Sequence, residues 1–215
     1  MPLEYEYQFY NYDKSTIIKS MKKIGFTKKG QFIFRIMIFT HPLNTPGTVS
    51  ERASTYIRIR DESHRITLTY KTKDPKSNFD NEDEVLIDNF DNGIKILFGL
   101  GCKKKFYYEK IREIWSLNDN EIIFDINPGA PERMEIESSN KKDLDTLTSH
   151  LQLTDLIVEK GYKSLKELFG IVLDSNQDLT FLNAKKVLSK LVTKNKTKFK
   201  KLINDQLILY NKLLK

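Results

Sequence analysis

Charged residues alternate with apolar or aromatic ones in a series of short runs, and this alternation limits what the chain can fold into. Glu4 and Glu6 are spaced by tyrosine in EYEYQ, and Gln8 falls next in the same phase. Arg58 and Arg60 alternate with isoleucine in YIRIR, and Lys71 ends LTYK in phase with Thr67 and Thr69. Lys110 and Arg112 lie two apart in YEKIREIW, Asp125 sits in IIFDIN, and Glu135 and Glu137 share a phase in MEIE. A β-strand sends residues i, i+2 and i+4 to one face. Each run is therefore one charged face backed by a largely apolar one.

Strand-like runs cover 31–40, 55–62, 65–73, 82–90, 105–117, 121–127 and 132–139, in addition to the opening strand. Helical spacing of Ile17, Ile18, Met21 and Ile24 marks a helix, with Asp13 or Ser15 as its cap and Gly25 as its stop. Further helices are expected over 91–102, about 140–151 and 159–169. Residues 178–214 read as two amphipathic helices broken near Thr193–Lys196, the last with a stripe of Phe199, Ile203, Leu207, Tyr210 and Leu214. Many antiparallel strands separated by turns favour a sheet that curls or closes. The expected fold is α+β: an antiparallel, closed or nearly closed eight-stranded barrel flanked by helices over residues 1–170. A basic amphipathic helical extension, 171–215, is packed on it or appended to it.

With 39% hydrophobic residues, the 215-residue chain has enough apolar mass for a core. No apolar run approaches the ~20 residues that cross a bilayer, so no membrane partner is expected. The acidic, aromatic start does not resemble a signal peptide. Cys102 is the only cysteine, which excludes an internal disulfide, and His41, His64 and His150 lack zinc-ligand spacing. A soluble, cytoplasmic protein is expected. The net charge of +7 comes from the tail: from Lys160 onward there are 13 lysines and 4 acidic residues.

The ordinary reading of one alternating strand is a polar face in water. Several such strands with paired charges point elsewhere if the sheet closes with its apolar faces outward. The charges then line a lumen, where unpaired ions cost several kcal/mol each. Arginine and lysine suit polyphosphate oxygens. Carboxylates suit a hard divalent cation such as Mg²⁺ or Mn²⁺, which also bridges phosphates.

These motifs, in this order, resemble those of the CYTH superfamily, or triphosphate tunnel metalloenzymes. The family includes class IV adenylate cyclases, thiamine triphosphatases, inorganic triphosphatases and some RNA 5′-triphosphatases. Its E-x-E-x-K motif is similar to Glu4-Glu6-Gln8, R-x-R to IRIR, L-T-x-K to LTYK and E-K-x-R to EKIR. The late aspartate matches FDIN, the closing E-x-E matches MEIE, and KGYKSLKELFG looks like the ending of the class IV cyclase branch. The resemblance implies metal binding by Glu4, Glu6, Asp125, Glu135 and Glu137. It also implies triphosphate binding by Arg58, Arg60, Lys71, Lys110 and Arg112, with Gln8 and Glu84 as further substrate contacts. Glu4 and Glu6 and those five cations form the implied catalytic set. Gln8 departs from the family lysine, Leu86 replaces a carboxylate after Glu84, and 31–42 lacks the tyrosine and aspartate expected before its proline.

The implied activity is metal-dependent hydrolysis of a triphosphate, with Mg²⁺ or Mn²⁺ as cofactor. Alternatives are a class IV adenylate cyclase and a binding protein in which Gln8 has removed turnover. An RNA 5′-triphosphatase would use the basic tail to hold RNA, although solvated lysines on packed helices explain that tail more simply. A homodimer is a further expectation. Cys102 is read as an inert thiol, GLGCKKK as a turn, and Trp115, Tyr107 and Tyr108 as packing rather than ligand stacking.

Overall fold

The computed structural model describes residues 3–40, 56–73, 80–158, 164–174 and 176–215, with Leu3, Glu4, Lys73 and Asp80 described through their backbone alone. The strands are β1 (Leu3–Phe9), β2 (Thr27–Thr40), β3 (Tyr56–Asp61), β4 (Ile66–Lys73), β5 (Asp80–Ile87), β6 (Lys103–Leu117), β7 (Asn120–Ile126), β8 (Arg133–Ser138) and β9 (Ile157–Val158). The helices are α1 (Lys14–Lys23), α2 (Phe90–Gly99), α3 (Lys141–His150), α4 (Ser164–Phe169), α5 (Phe181–Leu188) and α6 (Lys196–Leu213).

Pairing is antiparallel in the order β5-β4-β3-β2-β6-β7-β8-β1-β9, and β1 also meets β5 at Leu3↔Asn81 and Glu4↔Asp80. Eight strands thus form a circuit whose β1–β5 seam is two residues long, so the sheet curls into a tunnel without a continuous closing ladder. The two-residue β9, added beside Gln8 and Phe9, is a ninth strand that the alternation pattern does not reveal. The helix expected from residue 159 begins at Ser164, and 159–163 lie outside the described residues.

The outward apolar faces are covered by helices. Ile17 and Met21 of α1 and Leu144 of α3 are buried against Phe9, Trp115, Phe124, Met134 and Ile136. Phe90 and Leu97 of α2 pack on Phe39 and Ile59. Asp13 caps α1, its carboxylate accepting from the backbone N–H groups of Ser15 and Thr16. With large apolar faces turned outward onto helices, most strands leave the opposite phase facing the lumen; β2 also buries Phe34, Ile36 and Ile38 on the lumen side.

The C-terminal segment adds a further layer. Phe181 and Tyr210 stack on each other at 5.0 Å and pack on Ile111 of β6. Phe199, Ile203 and Tyr210 of the α6 stripe are buried, whereas Leu214 lies past the helix end and is exposed. Lys196, Lys198, Lys200 and Lys201 project into solvent. Phe169 and Ile171, on either side of the expected boundary at 170, are buried in one cluster with Leu188, Phe199 and Ile203.

Backbone pairing fixes this layer to β6. Leu179 accepts from Glu109 N at 3.1 Å and donates to Tyr107 O at 2.9 Å, on the stretch of β6 before Ile111, where β7 pairing starts. The buried Glu109 carboxylate accepts from Phe181 N at 3.1 Å and from the Tyr210 hydroxyl at 3.4 Å. Buried Gln206 of α6 clamps the β7–β8 turn. Its Oε1 accepts from Gly129 N at 2.7 Å, and its Nε2 donates to Ala130 O at 2.6 Å and to Asn127 O at 3.3 Å. Gly129 has φ +76°, and a Cβ there would lie 2.3 Å from Leu188 Cδ1, so the turn requires glycine. Replacing Gln206 by alanine strands these buried backbone groups and should destabilise the protein by about 1–3 kcal/mol. Denaturant unfolding checks this, together with faster amide exchange in α6 than in α1.

Candidate active site

The lumen-facing phase of eight strands, β1 to β8, converges on one cavity of about 350 Å³. Its lining holds seven cationic side chains (Arg58, Arg60, Arg65, Lys71, Lys110, Arg112, Arg133) and seven acidic ones (Glu6, Glu62, Glu82, Glu84, Glu121, Glu135, Glu137). Register explains the gathering. Arg58 faces Thr69 across β3–β4, Thr69 faces Glu84 across β4–β5, and Arg112 faces Asp125 across β6–β7.

On one side, Arg58 Nη2 lies 2.7 Å from Glu82 and Lys71 Nζ lies 3.1 Å from the same carboxylate. Arg60 reaches Glu62 at 2.6 Å and Glu84 at 3.2 Å. Burial alone would raise the Glu82 carboxyl, but Arg58 and Lys71 outweigh it and hold the group below its ordinary range. Burial, and then neighbouring Arg58, lower the pKa of Arg60. The Nε–H groups of Arg58, Arg60 and Arg133 are buried and make no hydrogen bond, so the lumen holds donors without acceptors.

On the other side, Asp125 is fully buried under three cations. Lys110 donates to it at 2.8 Å, Arg112 binds it through Nε at 2.7 Å and Nη2 at 2.6 Å, and Arg133 stands 3.5 Å away. Burial opposes ionisation here, yet Arg112 and Lys110 prevail and hold the carboxyl far below its usual range. Burial, and then Arg112, push the Lys110 ammonium down to about 8. Phe34 of β2 forms a floor beneath the cations. Arg60, Lys110 and Arg112 lie 5.5–5.7 Å from its ring centroid.

Carboxylates also meet at the β1–β8–β7 junction. Glu6 is directly opposite Glu137, Gln8 opposite Glu135, and Glu121 opposite Glu137. Oxygens of Glu6, Glu135 and Glu137 lie within 4.8 Å of one another. Like charges directly opposed on strands are destabilising, and a hard divalent cation is the group this all-oxygen trio fits. Glu135 also accepts from Arg112 at 2.8 Å, from Arg133 at 2.7 Å and from the Gln8 amide at 3.2 Å. Gln8 thus sits inside the network as a neutral donor.

Of the residues expected from sequence, Glu6, Arg58, Arg60, Lys71, Glu84, Lys110, Arg112, Glu135 and Glu137 line the one cavity. The Glu4 side chain lies outside the described residues. Asp125 does not join the acidic trio; it holds the cations instead. Leu86, in the position of the lost carboxylate, is 70% exposed. Glu62, Glu82, Arg133 and Tyr56 also line the cavity, each one further step in the same phase as Arg60, Glu84, Glu135 and Arg58. Tyr108, read as packing, lines the lumen two residues before Lys110.

The model of the CYTH domain matches residues 42–166, more than half of the chain. The chain belongs to the CYTH family. The match begins after β1, so the Glu4-Glu6-Gln8 strand lies outside it. A Methanocaldococcus jannaschii protein named "Putative adenylate cyclase MJ0240" is 30% identical over 171 residues, 73% of this chain and 94% of that protein. A Vibrio parahaemolyticus structure described as a "putative adenylate cyclase" superposes with a TM-score of 0.62 at 15% identity, over 77% of this chain and 98% of that one. The PH1012 protein of Pyrococcus horikoshii gives a TM-score of 0.59 at 22% identity, over 74% and 96%. The fold of this CYTH protein is therefore shared with archaeal and bacterial proteins. Among the described residues, no helix is long and apolar enough to cross a membrane.

Two outcomes follow from the Asp125 cluster. Asp125→Asn leaves buried cations uncompensated and should cost about 3–5 kcal/mol in denaturant unfolding. Because the folded pKa of Lys110 is lowered, the unfolded chain holds more protons between about pH 8 and the ordinary lysine range near 10.4. The stability of the wild type relative to Lys110→Met should therefore rise with pH across that window, as measured by unfolding at pH 7 to 10.

Proposed function

We propose that this CYTH protein is a divalent-metal-dependent enzyme that hydrolyses a triphosphate bound in the tunnel. The observation that carries this reading is a carboxylate trio and a bank of arginines and lysines facing one lumen of about 350 Å³. With seven charges of each sign, the lining is balanced by itself. Buried Asp125 behind the lining adds one more negative charge, so a polyphosphate entering alone would overload the interior, and a divalent cation arriving with it offsets part of that charge.

Glu6, Glu135 and Glu137 would hold the metal. When bound, Mg²⁺ or Mn²⁺ supplies charge neutralisation at phosphate oxygens and lowers the pKa of a coordinated water. The remaining roles belong to the chain. Arg58, Arg60, Lys71, Lys110 and Arg112 bind and align the phosphates, and the free Nε–H groups of Arg58 and Arg60 are donors waiting for oxygens. Glu62, Glu82, Glu84 and Asp125 fix those cations in place before substrate arrives, which limits reorganisation as charge builds on the transferred phosphoryl group. Water attacks the terminal phosphorus, the bond to the diphosphate breaks, and the diphosphate leaves against the cations. No side-chain nucleophile is required.

A second reading, adenylate cyclase, is favoured by the name carried by the M. jannaschii relative. In it the ribose 3′-hydroxyl of ATP attacks the α-phosphorus and pyrophosphate leaves. Purified protein with ATP and Mn²⁺ separates the two: phosphate and ADP support hydrolysis, cyclic AMP and pyrophosphate support cyclisation. In either case Arg58→Ala or Glu6→Ala should lower turnover by at least ~100-fold, and chelation of divalent metal should abolish it. Unchanged turnover in both variants overturns the tunnel as the site.

A further inference from the structure

A second cavity of about 650 Å³ lies beside the charged lumen, and its wall is largely apolar. Tyr108 and Arg133 line both spaces, so the two adjoin there. Tyr10, just past the end of β1, and Phe106 and Tyr108 of β6 contribute rings, the last two 5.7 Å apart. The opposite wall is Leu165, Ile171, Leu173 and Leu179 from the C-terminal layer. Ile171, Leu173 and Leu179 lie beyond residue 166, where the match to the family model ends. The wall is held in place by the Leu179 backbone bonds to β6, and Gln206 fixes the turn that supplies Asn127, Pro128 and Ala130.

We infer that this chamber binds the base and ribose of a nucleoside triphosphate, and that the C-terminal segment determines this specificity. The inference rests on the tunnel binding the triphosphate. Three features support a nucleoside. A volume within the ~300–1,000 Å³ of small-molecule sites suits such a group. Aromatic rings offer faces for a base to stack on. Asn127, Ser164, Lys166, Asp174 and Gln177 are the polar side chains in this lining besides Arg133 and the tyrosines, and they could read its edges. Arg133, bonded to Glu135, lines both spaces and so could meet a phosphate chain next to the ribose. An inorganic polyphosphate would fill the lumen and leave this apolar wall unused.

Calorimetric binding with Mg²⁺ tests this with two probes that do not release their terminal phosphate: AMP-PCP and the base-free bis(methylene)triphosphonate. The wild type should bind AMP-PCP at least about tenfold more tightly, the scale of one base stacked on an aromatic ring. Leu173→Glu and Phe106→Ala should each remove most of that advantage while leaving base-free affinity within about twofold, although each lowers the melting temperature because both side chains pack on buried clusters. Either variant suffices if the other fails to fold. Equal affinity of the wild type for both probes, or an equal loss for both in the variants, overturns the chamber while leaving the tunnel reading intact. If the wild type binds neither probe, the tunnel reading itself fails, and the chamber with it.

Discussion

Buried ions have to be neutralised where they stand, and in this molecule that requirement organises everything inside the sheet. A charge removed from water costs several kcal/mol unless partners replace its hydration. Asp125 has no exposed surface, and it is held by Lys110 and Arg112 with Arg133 nearby. Arg112 then reaches Glu135, which also takes Arg133, and Glu135 stands in the acidic trio with Glu6 and Glu137. One chain of ion pairs thus runs from the cationic wall to the carboxylate corner. A ligand that enters must replace partners as it displaces them. A metal-bound polyphosphate carries both signs of charge and can do so.

The helical layers make this interior tenable. Strands with one apolar face expose the charged face to a lumen only when something else covers the apolar side. Three sets of contacts do this: α1 and α3 over β1, β7 and β8; α2 over β2 and β3; α5 and α6 over β6. The last layer does more than cover. Leu179 pairs with the stretch of β6 that precedes β7 pairing, and Glu109 and Gln206 satisfy backbone groups between the C-terminal helices and the barrel. The region outside the family match is therefore built into the walls around the lumen.

Much of this was legible in the chain because a period of two is hard to disguise. The phase of Arg58 and Arg60, or of Lys110 and Arg112, places each pair on one face whatever the neighbours do. The same rule, extended one step, reaches Glu62, Glu82, Arg133 and Tyr108. What the pattern could not show is which charges pair. Asp125 alternates like a metal ligand, but its register opposite Arg112 and Arg133 delivers it to cations. The two-residue β9 carries too little periodicity to be seen. The inner apolar face of β2, with Phe34 under three cations, has no charged partner in phase to mark it as lumen-facing. The second chamber joins residues as far apart in the chain as Tyr10 and Leu179, which no local pattern brings together.

The central claim is that Glu6, Glu135 and Glu137 hold a divalent cation in the lumen together with the phosphates that Arg58 and Arg60 bind. Anomalous diffraction from crystals grown with Mn²⁺ and bis(methylene)triphosphonate tests it directly. The expected map has manganese within coordination distance of all three carboxylates, with phosphonate oxygens bridging it to the arginines. Manganese bound elsewhere, or phosphonate lying outside the sheet while the lumen holds neither, contradicts it.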